Sequence, residues 1–209
     1  MKKIGITLRQ SSPHSYHEPR DGLARDWYRL FAELGVGHHW QLLPNLGEQT
    51  VAYAQAHGIE GVIFSGGDDV GSDPLRDASE QALLTHCIAR QWPVLGVCRG
   101  LQLIQRFFGG QLAEADRSVH VAQRHLLIPT TDDLPWLSQP SAPRSVNSFH
   151  GNRLAMPIPA TLRPWAFDEQ GACEALVHVS EKIAGIMWHP EREASLSEPD
   201  RQLCRWLFE

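Results

Sequence analysis

Short apolar runs alternate with helical patterns through the first half of the chain, and this alternation sets the fold class. Apolar runs at residues 3–8, 40–43, 60–65 and 94–97 predict strands, and the longer patterns at 21–34 and 75–91 predict helices. Strands separated by helices read as βαβ units, which places the chain in the α/β class with a mainly parallel sheet. Within 21–34, Leu23, Trp27, Leu30, Phe31 and Leu34 recur at three- and four-residue steps, so one helix face packs on that sheet. Gly35 follows as a C-terminal stop.

The second half is richer in turn residues. Strands near 162–167, 172–178 and 183–187, with little helix between them, predict an antiparallel meander. A last helix is expected from Ser197, with Asp200 three residues on as an approximate capping box and Leu203, Trp206 and Leu207 as its apolar side. Residues 130–143 contain two Asp and three Pro, which predicts a surface loop. There is no internal repeat, and a length of 209 residues leads us to expect one domain over 1–209.

Composition narrows the function classes. Apolar residues make up 42% and charged residues 21%, with no apolar run long enough to span a bilayer, so no membrane partner is expected. The start is basic but meets Arg9 and a polar stretch before any signal-like apolar segment, so a cytoplasmic location is expected. A formal charge of −5, without clustered Lys and Arg, leaves no footprint for nucleic acid. The four cysteines form no Cys-x-x-Cys pair and read as free thiols, and Cys87 and Cys204 fall on helical patterns as small buried hydrophobes.

Cys98 stands apart. The run Val94-Leu95-Gly96-Val97-Cys98-Arg99-Gly100-Leu101-Gln102 is a strand entering Gly-x-Cys-x-Gly and then a helical pattern through Phe107. That is the sequence form of a nucleophile elbow, in which small residues flank a nucleophile held on a sharp strand-to-helix turn. A helix N-terminus behind the thiol favours the reactive thiolate. A second strand, from Ile183 to Met187, ends in Trp188-His189-Pro190-Glu191. If this segment stays extended through Pro190, His189 and Glu191 face the same side, where the carboxylate can orient the imidazole that a thiol nucleophile requires. Alone, His-x-Glu could equally be a solvated strand end. A third strand enters Ser65-Gly66-Gly67-Asp68-Asp69-Val70, where backbone N–H groups, with that of Arg99, could form an oxyanion hole; an ordinary Gly-Gly turn is the alternative.

These segments, with Val146-Asn147-Ser148-Phe149-His150-Gly151 between them, resemble the class I glutamine amidotransferases, and Arg99 and the Asn-Ser-x-His-Gly segment resemble the peptidase C26 branch. The resemblance spans roughly residues 4–191. It implies a flavodoxin-like three-layer fold with Cys98 as nucleophile, His189 as base and then acid, and Glu191 as its orienting partner. It also implies Gly67 and Arg99 as oxyanion donors, and Gly66, Gln102, Ser148, Phe149 and His150 as substrate contacts. Gln102 could instead cap its helix, and His150 could satisfy a loop. The implied activity is hydrolysis of the γ-glutamyl amide of a small molecule, either a γ-glutamyl amine or a γ-glutamyl nucleotide phosphoramidate, with no cofactor.

The chain is shorter than many C26 members between Gly71 and Arg76 and before Val146, where loops shape the leaving-group pocket. Residues 18–21 are expected to be a helix-starting loop. A glutaminase subunit serving a synthase partner is the rival reading, and a homodimer is left open. No metal site is expected: His38 and His39, and likewise His120 and His125, lack a matching acidic or thiol set and read as surface histidines.

Overall fold

A computed structural model describes residues 2–131, 133–137 and 142–209. In chain order the elements are β1 (Ile4–Thr7), β2 (Arg9–Ser11), β3 (Arg20–Gly22), α1 (Asp26–Leu34), β4 (Trp40–Leu43), α2 (Gln49–Ala56), β5 (Gly61–Phe64), α3 (Pro74–Arg90), β6 (Val94–Val97) and α4 (Arg99–Phe107). There follow β7 (Leu112–Glu114), α5 (Arg117–His120), β8 (Val121–Pro129), β9 (Arg144–Phe149), β10 (Asn152–Leu154), β11 (Leu162–Phe167), β12 (Cys173–His178), β13 (Ile183–Ile186), a 3₁₀ turn (Pro190–Arg192) and α6 (Glu198–Phe208).

The main sheet runs β4-β1-β5-β6-β13-β12-β11-β8-β9. Its first five strands are parallel, in the order expected of a flavodoxin-like α/β fold, and β13 joins them by pairing with β6 from Ile183 opposite Val94 to Ile186 opposite Val97. The expected meander is therefore half right. β11, β12 and β13 pair antiparallel, but β13 then closes the parallel half. Every residue of β1, β5, β6 and β13 is buried, as two covered faces demand.

Glycines show where helices meet those faces. A Cβ on Gly96 would lie 2.6 Å from the backbone of Gly100 in α4, whereas a Cβ on Gly61 would lie 3.0 Å from the Phe208 ring of α6. Gly96 pairs with Phe64, and Gly61 is three residues before Phe64, so α4 and α6 cover opposite faces. This is the three-layer arrangement.

Three local readings change. Helix α1 starts at Asp26 rather than residue 21, because residues 20–22 pair with β2 and Asp21 accepts from the Asn45 amide at 2.7 Å. Helix α2 and the paired strands β8 and β9 had no sequence expectation. Of the loop expected at 130–143, residues 132 and 138–141 lie outside the described residues. Ser197 does cap the last helix, its hydroxyl accepting from the Asp200 N–H at 3.3 Å, while the Asp200 carboxylate accepts from that hydroxyl at 2.7 Å rather than from the Ser197 N–H of a full capping box.

Gly100 lets α4 sit directly on β5: a Cβ there would fall 2.8 Å from Cβ of Phe64. Gly100→Ala should therefore lower unfolding stability by about 1–3 kcal/mol, as overpacking does, measured by urea titration.

Candidate active site

Cys98 sits where β6 turns into α4, with φ +52° and ψ −103°. An L-residue held there costs about 1–3 kcal/mol, which the surrounding structure must supply. It is supplied by close packing on Gly96 and Gly100, and by the Cys98 N–H donating to the Ile186 carbonyl at 2.8 Å. Because β6 and β13 are parallel neighbours, their C-terminal ends bring Cys98 and His189 to one edge of the sheet, where open α/β sheets place their ligands.

His189 Nδ1 is 2.6 Å from Glu191 Oε1, with both side chains 2% exposed. The route differs from the one expected. Pro190 opens a 3₁₀ turn through Arg192, and the turn, rather than an extended strand, brings the carboxylate back to the ring. Since Nδ1 is taken by Glu191, Nε2 is the ring nitrogen left for the Cys98 thiol. Burial pushes the Cys98 thiol up, but the charge and hydrogen bond of His189, aided by His150 and Arg192, hold it below its ordinary value. Burial pushes His189 down, and Glu191 and the Cys98 thiolate raise it to about 9. Both shifts are toward the charged forms, a thiolate beside an imidazolium.

The other expected residues divide. Gly66 lies against the imidazole, where a Cβ would meet His189 Cε1 at 2.6 Å, and Gly67 has φ +154° beside Arg76. The Phe149 ring meets His189 edge-on, centroids 5.8 Å apart at 80°. Gln102 is buried one turn after Cys98 and donates to the Asn152 carbonyl at 3.2 Å. The Ser148 hydroxyl turns away and donates to the His120 carbonyl at 2.8 Å. His150 is buried, with Nδ1 2.9 Å from the Asn152 carbonyl and Nε2 3.4 Å from Glu174. The Arg99 side chain points beneath the elbow, to Glu80 and Asp77, so only its backbone N–H is left for an oxyanion role.

Several residues escaped the sequence reading. Asn147 grips the His189 peptide from both sides, accepting from its N–H at 2.9 Å and donating to its carbonyl at 2.8 Å. It stood inside the quoted Asn-Ser-x-His-Gly segment without a role. His120 and His125 are buried and lie beside Glu174, which corrects the expectation of surface histidines without an acidic partner. A carboxylate in the otherwise apolar run 172–177 was the available signal. Among the described residues no helix is long and apolar enough to cross a membrane.

A buried thiol near a carboxylate-oriented imidazole, on the C-terminal edge of a flavodoxin-like sheet, fits a class of proteins: hydrolases of the class I glutamine amidotransferase type. The chain belongs to the peptidase C26 family, whose model matches residues 3–191. It is 31% identical to the gamma-glutamyl-CDP-amidate hydrolase of Campylobacter jejuni over 93% of this chain and 92% of that one. It is 28% identical to a glutamine-hydrolyzing GMP synthase subunit of Thermococcus kodakarensis, over 63% of this chain and 66% of that one. A glutamine amidotransferase structure from Thermotoga maritima superposes with a TM-score of 0.66 at 14% identity, covering 99% of this chain and 82% of that one.

Burial pushes the Cys173 and Cys204 thiols up to about 12 and raises Cys87 further, so near neutral pH alkylation reports Cys98. The rate of Cys98 modification by iodoacetamide should reach half its maximum at a pH below the ordinary thiol value. In His189→Ala, with the imidazolium gone, that midpoint should move up. Asn147→Ala leaves the buried His189 N–H and carbonyl without these partners and should lower stability by about 1–3 kcal/mol, read from thermal unfolding.

Proposed function

We propose that this protein uses Cys98, His189 and Glu191 to cleave the γ-glutamyl amide bond of a small molecule whose leaving amine carries phosphate, such as a γ-glutamyl nucleotide phosphoramidate. The reading rests on the Cys98–His189 pair with Glu191 on Nδ1. Cys98 Sγ attacks the γ-carbonyl carbon, and the oxyanion is held by the N–H groups of Gly67 and Arg99. The tetrahedral intermediate collapses as His189 Nε2 gives its proton to the departing nitrogen, leaving a glutamyl thioester and a neutral imidazole. His189 then takes a proton from water, the hydroxide adds to the thioester carbonyl, and glutamate leaves as the thiolate reforms. Glu191 keeps Nδ1–H fixed throughout and supports the imidazolium.

The choice of leaving group has its own support. A cleft beside His189 is lined by Arg9, Gly66 and Arg192. Arg9 is exposed and pairs with Asp68 at 3.3 Å, and Arg192 stacks over Phe149 at 4.4 Å from the ring centre. Glu191 also lines the cleft and Asp68 already holds Arg9, so the two guanidiniums suit a phosphate-bearing group that takes the place of Asp68 on Arg9. The C. jejuni relative, by its name, hydrolyses such a compound.

The test is glutamate release by the purified protein from glutamine, neutral γ-glutamyl amines and a γ-glutamyl nucleotide phosphoramidate. The phosphoramidate should be the efficient substrate, and Cys98→Ala should be inactive on all. Arg9→Gln should raise KM several-fold for the phosphoramidate and leave neutral amines almost unchanged. Slow cleavage of glutamine alone would overturn this assignment in favour of a glutaminase subunit that passes ammonia to a synthase, a reading favoured by the T. kodakarensis relative.

A further inference from the structure

Three histidines and a glutamate that take no part in these steps meet inside the antiparallel half of the sheet. His120 ends α5, His125 lies in β8, His150 follows β9 and Glu174 lies in β12. One potential ligand atom from each lies within 4.8 Å of all the others. The side chains of His120, His125, His150 and Glu174 are 2%, 4%, 1% and 1% exposed, so bulk solvent does not reach them.

Their hydrogen bonding is lopsided in a consistent way. Two rings have one nitrogen held from outside, His150 Nδ1 by the Asn152 carbonyl at 2.9 Å and His125 Nδ1 by the Leu126 carbonyl at 3.4 Å, and the third has a carboxylate beside it, His120 Nε2 standing 3.3 Å from Asp168 Oδ2 at ion-pair distance but without hydrogen-bond geometry. Asp168 is itself fixed by the N–H groups of Gln170 and Ala172, at 2.9 and 2.7 Å. The opposite nitrogens, His120 Nδ1, His125 Nε2 and His150 Nε2, have no hydrogen-bond partner, and neither does either oxygen of Glu174. Buried polar atoms are rarely left so, and five at one point need a common partner.

The pattern is that of metal ligation. Ligating histidines characteristically give their other ring nitrogen to a carboxylate or backbone carbonyl, which fixes the tautomer and leaves a lone pair pointing inward. His150 Nε2 stands 3.4 Å from Glu174 Oε1 and His125 Nε2 3.5 Å from Oε2, long for hydrogen bonds but close to the edge, about 3.4 Å, of a tetrahedron with bonds of about 2.0–2.1 Å; the set as a whole, spanning up to 4.8 Å, has to draw in slightly around an ion. Three neutral imidazoles and one carboxylate, without a thiolate, form a closed four-coordinate set that suits Zn²⁺.

We propose that His120, His125, His150 and Glu174 form a structural zinc-type site that ties α5, β8, the end of β9 and β12 together. Asp168 is its positioning residue, acting through His120. The site stands independently of the substrate assignment, and its occupancy is read in catalytically dead protein.

The experiment uses Cys98→Ala, which removes the thiolate that could bind zinc beside His189. The purified protein is stripped with chelator, titrated with Zn²⁺ and assayed for metal content and thermal unfolding; Co²⁺ is loaded in parallel. We expect one tightly held Zn²⁺ per chain, a Tm that rises with zinc and falls again with chelator, and the visible absorption of four-coordinate Co²⁺. Adding His125→Gln should lower zinc affinity more than 100-fold, and adding Asp168→Asn should lower it about 10- to 100-fold. Folded Cys98→Ala protein that retains no zinc, or zinc held equally by the His125→Gln protein through other histidines, would overturn the proposal. If His125→Gln does not fold, the stoichiometry and the Co²⁺ spectrum of the Cys98→Ala protein decide it.

Discussion

One buried carboxylate organises the ground beneath the catalytic edge. Glu80 receives two guanidiniums, Arg76 through Oε1 at 2.9 Å and Arg99 through Oε2, and it also accepts the Thr7 hydroxyl at 2.7 Å. Arg99 reaches on to Asp77, and Arg76 donates to the Ser65 and Gly66 carbonyls at 2.8 and 3.2 Å. Two arginines and two acids balance in charge, and their remaining polar atoms find backbone partners, the condition under which ions tolerate burial. Through this network helix α3 holds the glycine turn, strand β1 and the first residue of α4 in one arrangement. The strained turn at Cys98 depends on it, because both the helix that follows the thiol and the loop that faces it are anchored there.

The two halves of the sheet divide the work. The parallel half supplies the Cys98 thiol from the end of β6 and the His189 imidazole from the end of β13, brought to one edge by their register. The antiparallel half supplies control. Asn147, beside β8 in the outer hairpin, fixes the His189 peptide, and Glu193 accepts from the Asn147 amide at 2.7 Å while pairing with Arg124. The imidazole is thus located through its backbone by one strand and through its ring by Glu191. That double constraint is what the proposed role of His189, accepting and returning a proton without turning, requires.

The His–Glu cluster lies close enough to this machinery for His150 to act on the Cys98 charge. Burial of Glu174 among three imidazoles would be costly without a compensating cation or proton, so the two assemblies are joined electrostatically as well as through β9.

Much of the plan was legible in the sequence. Alternating apolar runs and helical patterns, the Gly-x-Cys-x-Gly turn and His-Pro-Glu are local signals, since two-residue and 3.6-residue periodicities and glycine's freedom at tight turns act within a few residues. They identified the α/β class and the parallel strands, and singled out Cys98 at the β6–α4 turn. Tertiary structure decided the rest. Whether β13 joined the meander or the parallel strands depended on pairing with β6, some 90 residues away in sequence. The turn at Pro190, the grip of Asn147, the convergence of His120, His125, His150 and Glu174, and the balance around Glu80 all join residues from separate elements. No local periodicity encodes such contacts, because their energy comes from burying polar groups beside partners that only the folded sheet brings within reach.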